Sequence, residues 1–343
     1  MRSGLFIVAL LTLLVLAPTA QADDVFLPLV TTPGVAPADP PVAYPRQASA
    51  FGLHDTPIPG GSVDLDRAIE DWQSLGVAWV TVLDPRDELL ARASKAGIQV
   101  IARVYSRSVF EDGDFGGTAR RMVAHGMHYV VPYNEPNLRA ECAGNWPDPV
   151  AFAARWVAAA DAILQQGAYP VLTPLAPEGD YPDMAYLDSF LSEVLKLRGQ
   201  AWLRDSHVVV GMHAYVLRPG DSFFNRVRAY EDAVKTRMGL DLPILITEGG
   251  IAPAALHRGF IWSPEAETIA LAQALRDGSL PPYILGATLW LYSNSGQGGH
   301  DPRFEDSAWF GTDGPGTIAL AIQADAIKQA LRTERLFGGW TAK

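Results

Sequence analysis

The sequence predicts an α/β fold, a single-domain (β/α)8 TIM barrel, on three observations. Eight apolar, β-rich runs alternate strictly with eight amphipathic segments. Most of the runs are rich in Val, Ile and Leu with little polar alternation, as expected of parallel strands covered on both faces. The alternation fills roughly 290 residues with no linker or low-complexity tract, which suits a closed barrel better than an open doubly wound sheet.

The elements follow in order. Strands are expected at 50–54, 77–83, 98–105, 129–134, 169–174, 207–215, 243–248 and 286–292. The first of these, Ala50-Phe51-Gly52-Leu53-His54, is the shortest, and the barrel count depends on it. Helices are expected at about 64–75, 86–96, 117–125, 149–166, 184–197, 223–238, 264–277 and 317–332.

Ahead of the barrel lie two other segments. Arg2, the apolar run Leu5 to Leu16 and Ala20-Gln21-Ala22 read as a secretory signal peptide over 1–22, with cleavage before Asp23. This twelve-residue run falls short of the roughly 20 that span a bilayer, so no stable membrane insertion is expected after cleavage and the chain is expected to be secreted. Residues 23–48 hold Pro28, Pro33, Pro37, Pro40, Pro41 and Pro45 and read as an extended lead-in. The domain proper is 49–343.

Composition narrows the function. A net charge of −11 argues against nucleic acid as a partner. The single cysteine, Cys142, permits no intrachain disulfide. No histidine is close to it in sequence, so it reads as a packed residue and not as a nucleophile. A monomer is expected.

Two of the apolar runs end at a glutamate: Tyr129-Val130-Val131-Pro132-Tyr133-Asn134-Glu135-Pro136-Asn137 and Pro243-Ile244-Leu245-Ile246-Thr247-Glu248-Gly249-Gly250. In a (β/α)8 barrel the chemistry sits at the C-terminal strand ends, so Glu135 on strand four and Glu248 on strand seven meet at one face. Two carboxylates flanking a sugar are the usual machinery for glycosidic cleavage. His213 and Tyr215 end strand six, and Trp290 lies at the end of strand eight.

These motifs resemble those of the retaining (β/α)8-barrel glycoside hydrolases of clan A, the cellulase and β-glycosidase-like enzymes. Asn134-Glu135-Pro136 is similar to that clan's acid/base motif and Thr247-Glu248 to its nucleophile motif. Met212-His213-Ala214-Tyr215, Thr288-Leu289-Trp290 and Trp309-Phe310-Gly311-Thr312-Asp313-Gly314 resemble its strand-six, strand-eight and following segments. The resemblance covers roughly 50–335. It implies Glu135 as acid/base and Glu248 as nucleophile of a double displacement on a β-linked oligo- or polysaccharide. It implies that Asn134 binds the sugar 2-hydroxyl. Burial and the charge of Glu248 are expected to keep Glu135 protonated, and Tyr215 to hold Glu248 ionised. Trp290 would pack on the sugar ring, and His213 would bond a substrate hydroxyl or the surroundings of the nucleophile.

One departure stands out. Many clan members carry an arginine at the end of strand two, where this chain has Val80-Thr81-Val82-Leu83-Asp84. Arg103, inside the apolar strand Ile101-Ala102-Arg103-Val104-Tyr105, needs a carboxylate partner, and Glu248 or Glu135 would serve. His54, ending strand one, is a candidate for the same sugar. Trp146, Trp262 and Trp309 lie in the loops after strands four, seven and eight, as sugar platforms or as pins for their own loops. His300-Asp301 with Glu305-Asp306 shows no metal-ligand spacing, so neither metal nor cofactor is expected. Two other functions use the same residues: a non-catalytic carbohydrate-binding barrel, favoured by the missing arginine, and a transglycosylase.

Overall fold

A computed structural model describes residues 44–217, 221–251, 264–277, 280–296, 299–311 and 314–324. The expected signal peptide, the lead-in before residue 44, and His257, Phe260 and Trp262 after strand seven lie outside these residues.

Eight strands close into one barrel in sequence order: β1 (Phe51–His54), β2 (Trp79–Leu83), β3 (Gln99–Arg103), β4 (Tyr129–Val131), β5 (Tyr169–Leu172), β6 (Val209–Val216), β7 (Ile244–Ile251) and β8 (Ile284–Leu289). Every pairing is parallel, and β8 pairs with β1 to complete the ring. Between them run α1 (Leu65–Leu75), α2 (Asp87–Lys95), α3 (Phe115–Ala124), α4 (Pro149–Leu164), α5 (Asp183–Asp205), α6 (Phe223–Met238) and α7 (Pro264–Arg276). Residues 317–324 are helical after β8, and the rest of the helix expected at 317–332 lies outside the described residues. No described helix is long and apolar enough to cross a membrane.

Local chemistry sets the helix ends. Asp64 caps α1 by accepting from the Arg67 N–H, and Gly76 ends it in the left-handed conformation that glycine adopts without strain. Asp148 caps α4 through the N–H groups of Val150 and Ala151, with Pro149 at the first helical position. Ser222 caps α6. α5 runs past the expected end at 197 but is broken at Gly199 (φ 77°, ψ 165°), so the sequence pattern stopped at the kink.

The barrel interior below the strand ends is filled by Trp79, Ile101, Tyr129, Val131, Val171, Val209, Leu245 and Leu285. Trp79 fits because its neighbours have no side chain. A Cβ on Gly286 would lie 2.6 Å from the indole, and one on Gly52 would lie 2.4 Å from the Trp79 carbonyl oxygen. Residues 44–49 close the bottom: the Trp79 indole N–H donates to the Ser49 carbonyl (3.0 Å) and the Tyr129 hydroxyl to that of Pro45 (2.7 Å). A larger apolar layer lies between barrel and helices, with Trp72, Trp156, Tyr186 and Tyr230 fully buried.

Two strand ends depart from expectation in ways that shape the site. β4 ends at Val131, three residues early, because Pro132 has no N–H to continue the ladder. The chain then turns through Glu135, whose φ is +39°, while its N–H donates to the Pro174 carbonyl past β5 (3.0 Å). β7 continues beyond Glu248 to Ile251. The β6–β7 register shifts between Met212 and His213 and leaves His213 opposite Glu248, the re-aiming that a β-bulge produces beside many active sites.

Candidate active site

Glu135 and Glu248 meet at the C-terminal end of the barrel. One carboxylate oxygen of each and a ring nitrogen of His213 all lie within 4.8 Å of one another. The two carboxylates have different surroundings, and the difference is chemical.

Glu248, on β7 and 7% exposed, is enclosed by donors. Arg103, from the end of β3, forms an ion pair with Oε1. The Tyr215 hydroxyl donates to Oε2 at 2.7 Å. His54 Nε2 lies 3.9 Å from Oε1 and His213 Nδ1 3.7 Å from Oε2. Burial alone would raise the carboxyl, but His213, Arg103, His54 and the Tyr215 bond together hold it down to about 2. Burial and the nearby Arg103 charge lower His54 to about 3. His54 is therefore neutral near pH 7, and Arg103 is the permanent cation. Burial, then the charge of Glu248, raises the Tyr215 phenol, which keeps it a donor.

Glu135 is more open, with 18% of its side chain exposed. His213 Nδ1 lies 2.8 Å from its Oε1, and the Asn134 amide N–H donates to its Oε2 at 3.3 Å. Asn134 joins the two halves, because its carbonyl oxygen accepts from Arg103 at 3.1 Å.

The remaining expected residues fall as follows. The rings of His54 and His213 are fully buried, both beside Glu248, and His213 also meets Glu135. Trp290 follows β8 and packs on His54, with ring centroids 4.6 Å apart; its peptide bond to Leu291 is cis. Where clan enzymes carry the strand-two arginine, Asp84 instead accepts from the Tyr105 N–H at 3.0 Å and ties the ends of β2 and β3 together. Arg103 thus reaches Glu248 from the neighbouring strand. Trp309 is buried against Phe51 and pins its own loop, whereas Trp146 is 60% exposed.

Cys142 is buried, its thiol 3.4 Å from the Pro136 carbonyl oxygen, and burial pushes it up to about 11. It stays a thiol near neutrality, which disfavours it as a nucleophile. Glu135, His213 and Glu248 have a spacing that would suit a metal ion.

The sequence reading missed Glu141, in the turn after β4. Its Oε1 lies 3.4 Å from the Asn134 amide nitrogen. Burial, then the charge of Glu135, raises it to about 7. A carboxylate six positions past the acid/base candidate has no periodic signature. Its one signal is its presence in the turn that follows the Asn-Glu-Pro motif.

No family model matches the chain, and no curated protein does. Solved structures do match. A GH128 (subgroup II) endo-β-1,3-glucanase from Pseudomonas viridiflava is 17% identical over 80% of this chain and 98% of its own, with a TM-score of 0.53. A glucosidase from Croceicoccus marinus is 12% identical over 82% of this chain and 69% of its own, with a TM-score of 0.56. A β-glucuronidase from Bacteroides uniformis is 14% identical over 81% of this chain and 35% of its own, with a TM-score of 0.54. The chain has the barrel fold of these glycoside hydrolases. At such identities the likeness is one of fold, and any functional reading rests on the site.

Proposed function

We propose that the chain is an exported glycoside hydrolase that cleaves β-linked glycans with retention, Glu135 serving as acid/base and Glu248 as nucleophile. The observation that carries this reading is the pair of carboxylates at the β4 and β7 ends, with oxygens within 4.8 Å of each other and unlike surroundings. Retaining enzymes hold their carboxyl groups about 5–5.5 Å apart, and inverting ones about 6.5–9.5 Å to admit a water.

In the first step Glu135 gives its proton to the glycosidic oxygen as the C–O bond breaks. Glu248 attacks the anomeric carbon from the opposite face and forms a glycosyl ester. Arg103 and Tyr215 keep Glu248 ionised until that bond forms. The ester no longer carries the charge, so Glu135, now a carboxylate, takes a proton from water. The hydroxide equivalent attacks the anomeric carbon and releases Glu248. Asn134, bonded to Arg103 and Glu135, lies where it would meet the hydroxyl beside the anomeric carbon. Arg103 at the nucleophile also removes the main argument for a non-catalytic barrel, which rested on the missing strand-two arginine.

The fold neighbours favour β-glucans, and β-1,3-glucan first, as the substrate to try. The test is hydrolysis of laminarin-type polysaccharides and of a panel of aryl β-glycosides by the wild type, Glu135→Gln and Glu248→Gln. Activity in the wild type, and a loss of at least about 1,000-fold in each variant, is expected on residues that act as a unit. Full activity in either variant would refute the assignment.

A further inference from the structure

We infer that Glu141 is a third carboxylate of the active site, a positioning residue that holds the Asn134 amide toward the hydroxyl beside the anomeric carbon. The inference rests on the glycosidase reading above and deepens it.

The Asn134 amide has three partners, and together they force its orientation. Arg103 has only donors, so it must face Oδ1, which it does at 3.1 Å. The amide nitrogen then faces the two carboxyl groups, donating to an oxygen of Glu135 at 3.3 Å and of Glu141 at 3.4 Å. Two of these partners change during the reaction. Glu135 loses and regains a proton. Arg103 is shared with Glu248, which becomes an ester and returns. Glu141 takes no part in bond making, so it is the one partner of Asn134 that persists through the cycle.

Its setting fits that task. The Glu141 carbonyl accepts from the Val109 N–H at 2.8 Å, which ties the turn after β4 to the segment after β3. The same turn is anchored by Asn137, fully buried, whose amide donates to the Ala176 and Tyr181 carbonyls. The charged and titratable groups facing Glu141 are Glu135, Arg103, Glu248 and the Cys142 thiol. Glu141 forms no ion pair among those described, and the Asn134 amide and the more distant Arg103 charge offset only part of the cost of its burial. A desolvated carboxyl raised to about 7 beside the two barrel-end glutamates is a frequent mark of a functional group.

The resemblance to clan A enzymes implies the 2-hydroxyl as the partner of Asn134, and the amide's bonds to Glu135 and Arg103 are compatible with that contact. Hydrogen bonds to this hydroxyl strengthen in the transition state.

The experiment compares kcat/KM on an aryl β-glycoside and on its 2-deoxy counterpart for the wild type, Glu141→Ala and Glu141→Gln, with thermal unfolding to confirm folding. The ratio of parent to 2-deoxy kcat/KM should fall about tenfold in Glu141→Ala, about 1.4 kcal/mol of transition-state binding. Most of the ratio should return in Glu141→Gln, which keeps an acceptor. An unchanged ratio in Glu141→Ala would overturn the inference, whether both activities are kept or both fall equally. A wild type inactive on every glycoside would instead refute the glycosidase reading, and the role of Glu141 with it.

Discussion

At Glu248 two opposing effects meet: burial disfavours its charge, and a ring of donors favours it. The donors win, because the carboxyl is held below its ordinary value of 4.5. The sign of the consequence follows. A depressed carboxyl stabilises the fold fully above about pH 4.5 and loses that contribution as pH falls toward about 2. Arg103→Met removes the permanent cation and leaves a buried carboxylate short of a partner, a loss of about 3–5 kcal/mol near neutrality. The stability gap between wild type and variant, measured by denaturant unfolding, should be full above about pH 4.5 and close as pH falls toward 2. A gap that stays constant with pH would contradict the assignment of Arg103 as the partner of Glu248. The sequence signalled Arg103, because an arginine in an apolar strand needs a carboxylate. For Glu141 it gave only a place in the turn after Asn-Glu-Pro, because the role depends on a turn that no periodicity encodes.

The strands were legible as elements because each is a short apolar run bounded by helix signals. Their ends were less so. β4 stops early at Pro132, and the left-handed turn at Glu135 follows from the bond of its N–H to Pro174, a contact between distant segments. The His213–Glu248 alignment depends on the β6–β7 register shift, which one strand's sequence cannot show. Packing inside the barrel was hidden in the same way: Gly52 and Gly286 look like weak strand residues until Trp79 is seen between them. Gly52→Ala should cost about 1–3 kcal/mol, because the new Cβ meets backbone and Cβ atoms of β2 that have no other rotamer to adopt. A denaturant midpoint equal to that of the wild type would show that β1 and β2 can separate at no cost.

At the scale of the molecule, the barrel gathers residues from β1, β3, β4, β6, β7 and β8 at one end, and the loops decide what reaches them. Trp146, in the loop between β4 and α4, is 60% exposed and lies 6.3 Å from Tyr181, ring to ring. If it is a platform for distal sugars, Trp146→Ala should raise KM on a polysaccharide about 2- to 12-fold, the equivalent of about 0.5–1.5 kcal/mol of ring contact. KM on an aryl monoglycoside should not change; an equal rise on both would mean that the ring only braces its loop. The division of labour between the two carboxylates is the central claim, and azide tests it directly. Glu248→Ala has room for an anion where the nucleophile stood, while Glu135 can still protonate a leaving group. With an aryl β-glycoside and azide, the account predicts recovered turnover and an α-glycosyl azide by NMR. A β-glycosyl azide from Glu248→Ala, with the α-glycosyl azide coming from Glu135→Ala instead, would contradict it by exchanging the two roles.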